Sequence, residues 1–293
     1  MGSYKNETFK DNLFAGKVVF CTGGAGTICG RQVEALVQLG CNAVITGRNL
    51  EKTQSRAREM CNLRSGAKVI GLSADVRDVK AMEGAVATCV KELGSLDFLI
   101  CGAAGNFLAT IENLSANAFK TVMDIDVLGS YNTFKAAAPE LKRSRGRVIF
   151  VSATLHYYGT PLQAHLSAAK AAIDALSQSI AVEYGPLGIT SNIIAPGPIE
   201  GTEGMDRLLP KAQKDAMNKS IPLQRQGSTN DIADGTVYLF SPAAAWVTGQ
   251  ILIVDGGSWH TSRSSFPYPE IVLGQANLTD DVKQRKSNKG AKL

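Results

Sequence analysis

The chain has 293 residues, 19% of them charged and 44% apolar, with 31 Lys plus Arg against 26 Asp plus Glu for a formal net charge of +5. That balance is too apolar and too weakly charged for a disordered chain, no run approaches the roughly 18 consecutive apolar residues of a membrane-spanning helix, and a charge this mild does not by itself identify an anionic partner. Residues 1–14 read as an N-terminal arm. Seven short, β-branched and nearly continuous apolar runs follow, at 17–21, 42–46, 67–72, 96–100, 146–151, 189–194 and 250–254, the pattern of strands buried on both faces of a parallel sheet. Helices are predicted between them, near 28–39, 50–63, 78–93, 115–140, 164–184 and 229–240. Strict alternation implies right-handed crossovers and an α/β fold, a doubly wound, seven-stranded, mostly parallel sheet in a single domain over 15–260. Residues 200–220 read as a helical insertion after the sixth strand, and 261–293 as an irregular tail.

The six cysteines, at 21, 29, 41, 61, 89 and 101, form no CxxC pair and no metal-type cluster with His, and no secretory signal precedes them. They are expected to be free thiols in a reducing compartment, with no metal site. The last three residues, Ala291-Lys292-Leu293, resemble the Ser-Lys-Leu peroxisomal address, which predicts a peroxisomal import receptor as partner and the peroxisome matrix as location. Much of the net charge sits just before it, where Lys283, Arg285, Lys286, Lys289 and Lys292 stand against Asp280 and Asp281. The basicity therefore belongs to the tail and does not describe a nucleic-acid-binding face.

The first strand runs into Thr22-Gly23-Gly24-Ala25-Gly26-Thr27-Ile28-Cys29-Gly30 and then a helix. Small residues there let the backbone approach a dinucleotide pyrophosphate, and the helix N-terminus supplies free N–H groups and partial positive charge. The second strand ends in Thr46-Gly47-Arg48. An acidic residue at that place would bind a ribose 2′-hydroxyl; Arg48 offers a cation to a 2′-phosphate, which favours NADP(H) over NAD(H). The third strand ends in Asp75-Val76, where a carboxylate can meet adenine. The fourth ends in Cys101-Gly102-Ala103-Ala104-Gly105-Asn106, small enough for the nicotinamide end to lie close, and Pro196-Gly197-Pro198-Ile199 after the sixth makes a further wall.

Together with Lys170 in Ser167-Ala168-Ala169-Lys170 and the closing Val254-Asp255-Gly256-Gly257, these segments resemble the short-chain dehydrogenase/reductase family over about residues 15–258. The resemblance implies a Rossmann-type fold, a nicotinamide cofactor, and a catalytic Ser, Tyr and Lys with a nearby Asn. This sequence departs from that set. The Tyr position, four residues before Lys170, is Leu166; the Ser falls at Ala153, beside Ser152; the Asn is replaced by Asp126. Thr27 and Cys29 stand where the family's second and third glycines usually sit. A Tyr–Lys pair moves a proton to or from a carbonyl or alcohol oxygen, so a site without that Tyr is poorly equipped for alcohol dehydrogenation.

The departures are similar to those of one subgroup, the peroxisomal 2,4-dienoyl-CoA reductases, matched at Ala103-Ala104-Gly105-Asn106-Phe107, Ser152-Ala153-Thr154-Leu155, Pro196-Gly197-Pro198-Ile199, Gly201-Thr202-Glu203-Gly204 and Pro222-Leu223-Gln224-Arg225, with His156-Tyr157-Tyr158-Gly159 resembling its fungal branch. The resemblance implies NADPH-dependent reduction of a 2,4-dienoyl-CoA to trans-3-enoyl-CoA in the degradation of unsaturated fatty acids: hydride to carbon 5, charge delocalised to the thioester oxygen, protonation at carbon 2. In that reading Lys170 holds the nicotinamide ribose, and Asp126 polarises a water that donates the proton, with Asp255 helping to hold it. The cofactor would be lined by Gly23, Gly24, Ala25, Gly26, Thr27, Ile28, Arg48, Asp75, Val76, Ala103, Ala104, Gly105, Lys170, Pro196, Gly197, Pro198, Ile199 and Thr202. Arg77 and Arg207 would meet the CoA phosphates, Phe107, Ser115, Ala116 and Asn117 would border the acyl chain or pantetheine, and 200–220 would be a lid. Family members imply a homodimer or homotetramer through the 115–140 and 164–184 helices. Alternatives are a ketone or enoyl reductase that uses Tyr157 or Tyr158, and a non-catalytic NADP-binding regulator, which would have no need to keep both Asp126 and Lys170. His156 and His165 flank the same region; a lone His is more often structural than an acid.

Overall fold

The computed structural model describes residue 4, residues 8–202 and 214–261, and residue 273. Seven strands, β1 (Val18–Thr22), β2 (Asn42–Gly47), β3 (Val69–Ser73), β4 (Phe98–Cys101), β5 (Arg147–Val151), β6 (Thr190–Pro196) and β7 (Ile251–Val254), form one sheet in the order β3-β2-β1-β4-β5-β6-β7. Every neighbouring pair is parallel, so the sheet is parallel throughout. The helices are α1 (Thr27–Gln38), α2 (Leu50–Cys61), α3 (Val79–Leu93), α4 (Ala116–Met123), α5 (Gly129–Ser144), α6 (Ala164–Tyr184), α7 (Lys214–Ser220), α8 (Thr229–Phe240) and α9 (Ser258–Thr261).

The period-2 alternation of side chains assigns each strand to two cores at once. In β1, Val19 and Cys21 pack under α1 and α8 with Val33, Leu36, Val237 and Phe240. Val18 and Phe20 face the other way, against Met82, Phe134, Leu141, Ile173 and Ile180 of α3, α5 and α6. Both faces are dry, which is why the strands read as unbroken apolar runs. The helices start where a side chain satisfies an orphan amide: Asn49 accepts from Lys52 N at 2.9 Å and Asp78 from Ala81 N at 3.1 Å. From the N-terminal arm, Tyr4 is buried and its hydroxyl donates to Asp234 at 2.8 Å, tying that residue to α8.

One predicted element is divided. The single helix expected over 115–140 is α4 and α5 joined by a π-helical turn, Asp124–Leu128. A π turn inserts a residue into the ladder and re-aims the side chains around it, and Asp126 lies in this one. Residues 203–213 of the expected lid, with Arg207, and residues 262–272 and 274–293 of the tail, with Ala291-Lys292-Leu293, lie outside the described residues. No helix among the described residues is long and apolar enough to cross a membrane.

Candidate active site

The chain runs outward from β1 to β3 and returns to β4, so the crevice for a ligand opens at the carboxyl ends of β1 and β4. The wall there is backbone. Gly23 has φ +71°, and a Cβ on it would lie 2.8 Å from the Gly102 carbonyl oxygen; a Cβ on Gly24 would lie 2.5 Å from the Ile45 side chain. The N-cap of α1 is Gly26, with no side chain capping the first turn, so the amides around Thr27 and Ile28 are free of side-chain caps. A tight cradle of glycines leading into such a helix start fits a pyrophosphate. Cys29 fills its place in this cradle at the expense of Gly102: a Cβ on Gly102 would collide with the Cys29 sulfur. The Thr22 hydroxyl accepts from Gly102 N at 3.1 Å and Ala103 N at 3.3 Å, fastening the end of β4 to the end of β1.

Arg48 is exposed at the end of β2 and has no ion-pair partner among the described residues. Asp75 stands nearby, and its carboxyl is held below the usual range by the hydrogen bond from Arg77, against the effect of burial, with Arg48 adding to the fall. Arg77, expected along the path of CoA, grips that carboxylate through Nε at 3.0 Å and Nη2 at 2.6 Å. Asn132 fixes Val76 beside it through its carbonyl, at 3.0 Å. On the far wall, Gly197 N donates to Val254 O at 3.0 Å, and a Cβ on Gly197 would collide with Asp255. Pro198 accepts from Gly227 N at 2.9 Å, Ile199 is buried, and Thr202 donates to its carbonyl at 2.8 Å. Asp255 itself is engaged by the turn after β7, accepting from Gly257 N at 2.8 Å and Trp259 N at 2.7 Å, one on each oxygen.

The reaction end of the crevice is made of buried charge. Asp126 has no solvent exposure. Gly105 N donates to its Oδ2 at 2.9 Å, and Lys170 Nζ stands 3.0 Å from its Oδ1. Lys170, also buried on α6, donates to the Val151 carbonyl at 3.0 Å. Three elements thus converge on one pair: the π turn, the loop after β4, and α6 against β5. Leu166, one turn before Lys170, packs on Val122 and Ala169, with Phe107 and Leu155 against the cluster, so the Tyr position is filled by apolar contacts. Ser115 caps α4 by accepting from Ala118 N at 3.1 Å, which places Ala116 and Asn117 in the exposed first turn.

Beside the pair lies a cluster that residue patterns alone did not bring together. His156 Nε2 is 2.7 Å from Asp174 Oδ2, which the Tyr157 hydroxyl approaches at 3.5 Å. Tyr157 meets Trp259 edge-on at 5.8 Å. Burial, then Asp174 and Asp255, push the Tyr157 phenol well above its ordinary range. Its hydroxyl is directed at a carboxylate, and Tyr158 is exposed. Asp174 carried one signal in the sequence: it lies four residues after Lys170, on the same helix face.

An all-parallel doubly wound sheet with a glycine cradle at its switch point and a lysine one helix away defines a nucleotide-dependent oxidoreductase. Residues 24–258 match the family model described as enoyl-(acyl carrier protein) reductase, and the chain belongs to this family of short-chain dehydrogenases/reductases. Fold and family imply a nicotinamide cofactor, which the cradle fits. The chain is 54% identical over 270 residues to the peroxisomal 2,4-dienoyl-CoA reductase, (3E)-enoyl-CoA-producing, of Saccharomyces cerevisiae, covering 91% of this chain and 92% of that protein. It is 43% identical over 258 residues to the peroxisomal 2,4-dienoyl-CoA reductase of Danio rerio, covering 87% and 86%. Among solved structures it resembles a 7α-hydroxysteroid dehydrogenase complexed with NADH and 7-oxo glycochenodeoxycholic acid, at a TM-score of 0.80 and 25% identity, over 85% of this chain and 98% of that one.

Proposed function

We propose that this chain reduces 2,4-dienoyl-CoA to trans-3-enoyl-CoA with NADPH in the peroxisome matrix, as a homo-oligomer delivered by a receptor that reads Ala291-Lys292-Leu293. The observation that carries the reaction is the buried Asp126–Lys170 pair beside Leu166: a charged site at the nicotinamide end that lacks the phenol needed for carbonyl chemistry. The two relatives named above act on this class of substrate.

A reduced nicotinamide, when bound, supplies the hydride. Lys170 holds its ribose and, with its charge, favours the electron density that collects on the thioester oxygen. Asp126, with Gly105 N and Lys170 on its two oxygens, keeps lone pairs for a water, the proton source for carbon 2. Asp255 shapes the Gly197 wall and, with one amide on each oxygen, likewise keeps lone pairs to help hold that water. Arg48 receives the 2′-phosphate. Arg77 meets CoA phosphate in exchange with Asp75, with Arg207 of the 200–220 segment as the second cation for those phosphates, and Phe107 with Ser115, Ala116 and Asn117 borders the acyl arm.

The test is loss of reduced-nicotinamide absorbance with purified enzyme and a 2,4-dienoyl-CoA, a 2-enoyl-CoA or a 3-ketoacyl-CoA, each with NADPH and with NADH. Turnover of the diene with NADPH and release of a 3-enoyl product is expected. Turnover of the 3-ketoacyl substrate in place of the diene would overturn the reading, and preference for NADH would remove the role of Arg48.

A further inference from the structure

Several buried polar atoms that have no hydrogen-bond partner among the described residues lie in one stretch, from the end of β5 into α6: Ser152 Oγ, Gln163 Oε1, both ring nitrogens of His165, and Ser167 Oγ. His165 is the extreme case. It has no solvent exposure, and neither nitrogen has a well-aligned hydrogen bond, the Phe107 backbone being the one polar neighbour that bears on the ring. Its ring lies almost flat on Phe107, with centroids 4.2 Å apart and planes 20° from parallel. Phe107 is two residues beyond Gly105, whose N–H holds Asp126. Burial lowers the His165 pKa, against a hydrogen bond to the Phe107 backbone and the charge of Asp126, so the imidazole is neutral at pH 7: the nitrogen on the Phe107 side donates and the other is left to accept.

A buried polar group without a well-made hydrogen bond is costly, and a buried water needs two to four polar partners. The remaining imidazole nitrogen and the Asp126 carboxylate, joined through Phe107 and Gly105, supply two of them. We propose that His165 is a positioning residue for protonation: with Asp126 it holds the water that gives its proton to carbon 2 of the dienolate. This rests on the dienoyl-CoA reading above. The O–H bond of that water breaks as the C2–H bond forms from the dienolate electron pair. The hydroxide left behind takes a proton from bulk water, and the hydride at carbon 5 comes from the reduced nicotinamide, so one hydride and one proton are added in all. The Phe107 stack sets the plane of the imidazole and therefore the direction of its remaining nitrogen.

His165→Phe tests the idea, because it keeps the ring and its stack and removes only the nitrogens. A purely structural imidazole predicts unchanged turnover and a melting temperature equal to or above wild type, since an unsatisfied polar atom has been replaced by carbon. A water-positioning imidazole predicts that kcat falls about 10- to 100-fold while the Kd for NADPH and the melting temperature hold, and that the solvent deuterium isotope effect on kcat rises above that of wild type as proton delivery becomes limiting. His165→Gln, which returns a donor and an acceptor, should recover part of the loss. In an Asp126→Ala background His165→Phe should add no further loss, because the water already lacks its other holder. If Phe overfills the site, His165→Leu carries the same measurements. Turnover within about twofold of wild type with an unchanged isotope effect would overturn the proposal. Wild-type enzyme without activity on the diene would fail the functional reading instead, which the same assay separates.

Discussion

The two ends of the crevice are built by opposite means. At β1 and β4 the wall is glycine main chain: Gly23 lies against the Gly102 backbone and Gly24 against the Ile45 side chain, so neither has room for a methyl group. At β5 and α6 the wall is side chain, and its centre is an ion pair withdrawn from water. The first end suits a ligand of one fixed shape; the second suits chemistry, because charge in a dry place acts strongly. The two should therefore fail differently, the backbone end through shape and the side-chain end through uncompensated charge.

The largest effect is expected at the charged end. Asp126→Ala should lower kcat about 10²- to 10⁴-fold, with the Kd for NADPH nearly unchanged by fluorescence titration; equal losses in both would place Asp126 in cofactor binding. Because it strands the Lys170 ammonium, the same change should also cost about 3–5 kcal/mol in urea unfolding, and Asp126→Asn, which keeps the Gly105 hydrogen bond, should cost less. Gly102→Ala comes next. Overpacking against Cys29 should cost about 1–3 kcal/mol, and the double change with Cys29→Gly should return most of it; no recovery would mean that the sulfur is not what occupies the space. Arg48→Ala should weaken NADPH about 10- to 100-fold, the worth of about 1.5–3 kcal/mol for a bond to a charged group, and leave NADH untouched.

The smallest effect belongs to charge that stays wet. Arg225 and Asp231 pair at 2.8 Å in a capping box with Ser228, with Arg225 more than half exposed. The hydrogen bond from Arg225 brings the Asp231 carboxyl down to about 2 from 3.8, against burial and with help from Ser228. A carboxyl lowered in the folded state contributes stability above the unfolded value and loses it as pH falls through the folded one. Asp231→Asn should thus cost about 1 kcal/mol at neutral pH, and the gap in urea midpoint between wild type and variant should close between about pH 4 and pH 2.

The contrast between the two ends also explains what could be read in advance. The backbone end was legible because its demands fall on consecutive residues: Gly23, Gly24 and Gly26 follow a strand and open a helix, and that order alone implies a cradle. Even so, Cys29 in a glycine position looked like a departure until Gly102, from another strand, was seen to yield the space. For Arg77 the sequence shows the charge but not the carboxylate it pairs with, Asp75. At the other end, Lys170 and Asp126 were legible as residue types through resemblance, and His156 and His165 as flanking histidines, but the Phe107 stack and the His156–Asp174 contact were not, since nothing local distinguishes a buried, stacked imidazole from a surface one.

The sequence by itself determined the strand order of events: alternating apolar runs and helices, buried on both faces, can satisfy their backbone only as a doubly wound parallel sheet, and that places the carboxyl ends of the strands together. Only the tertiary structure decided the electrostatics. The π turn at Asp124–Leu128 breaks an otherwise continuous helix and brings Asp126 onto Lys170. Local propensity acts on neighbours along the chain, whereas the distance between two charges, and the water removed from around them, depends on every element packed between.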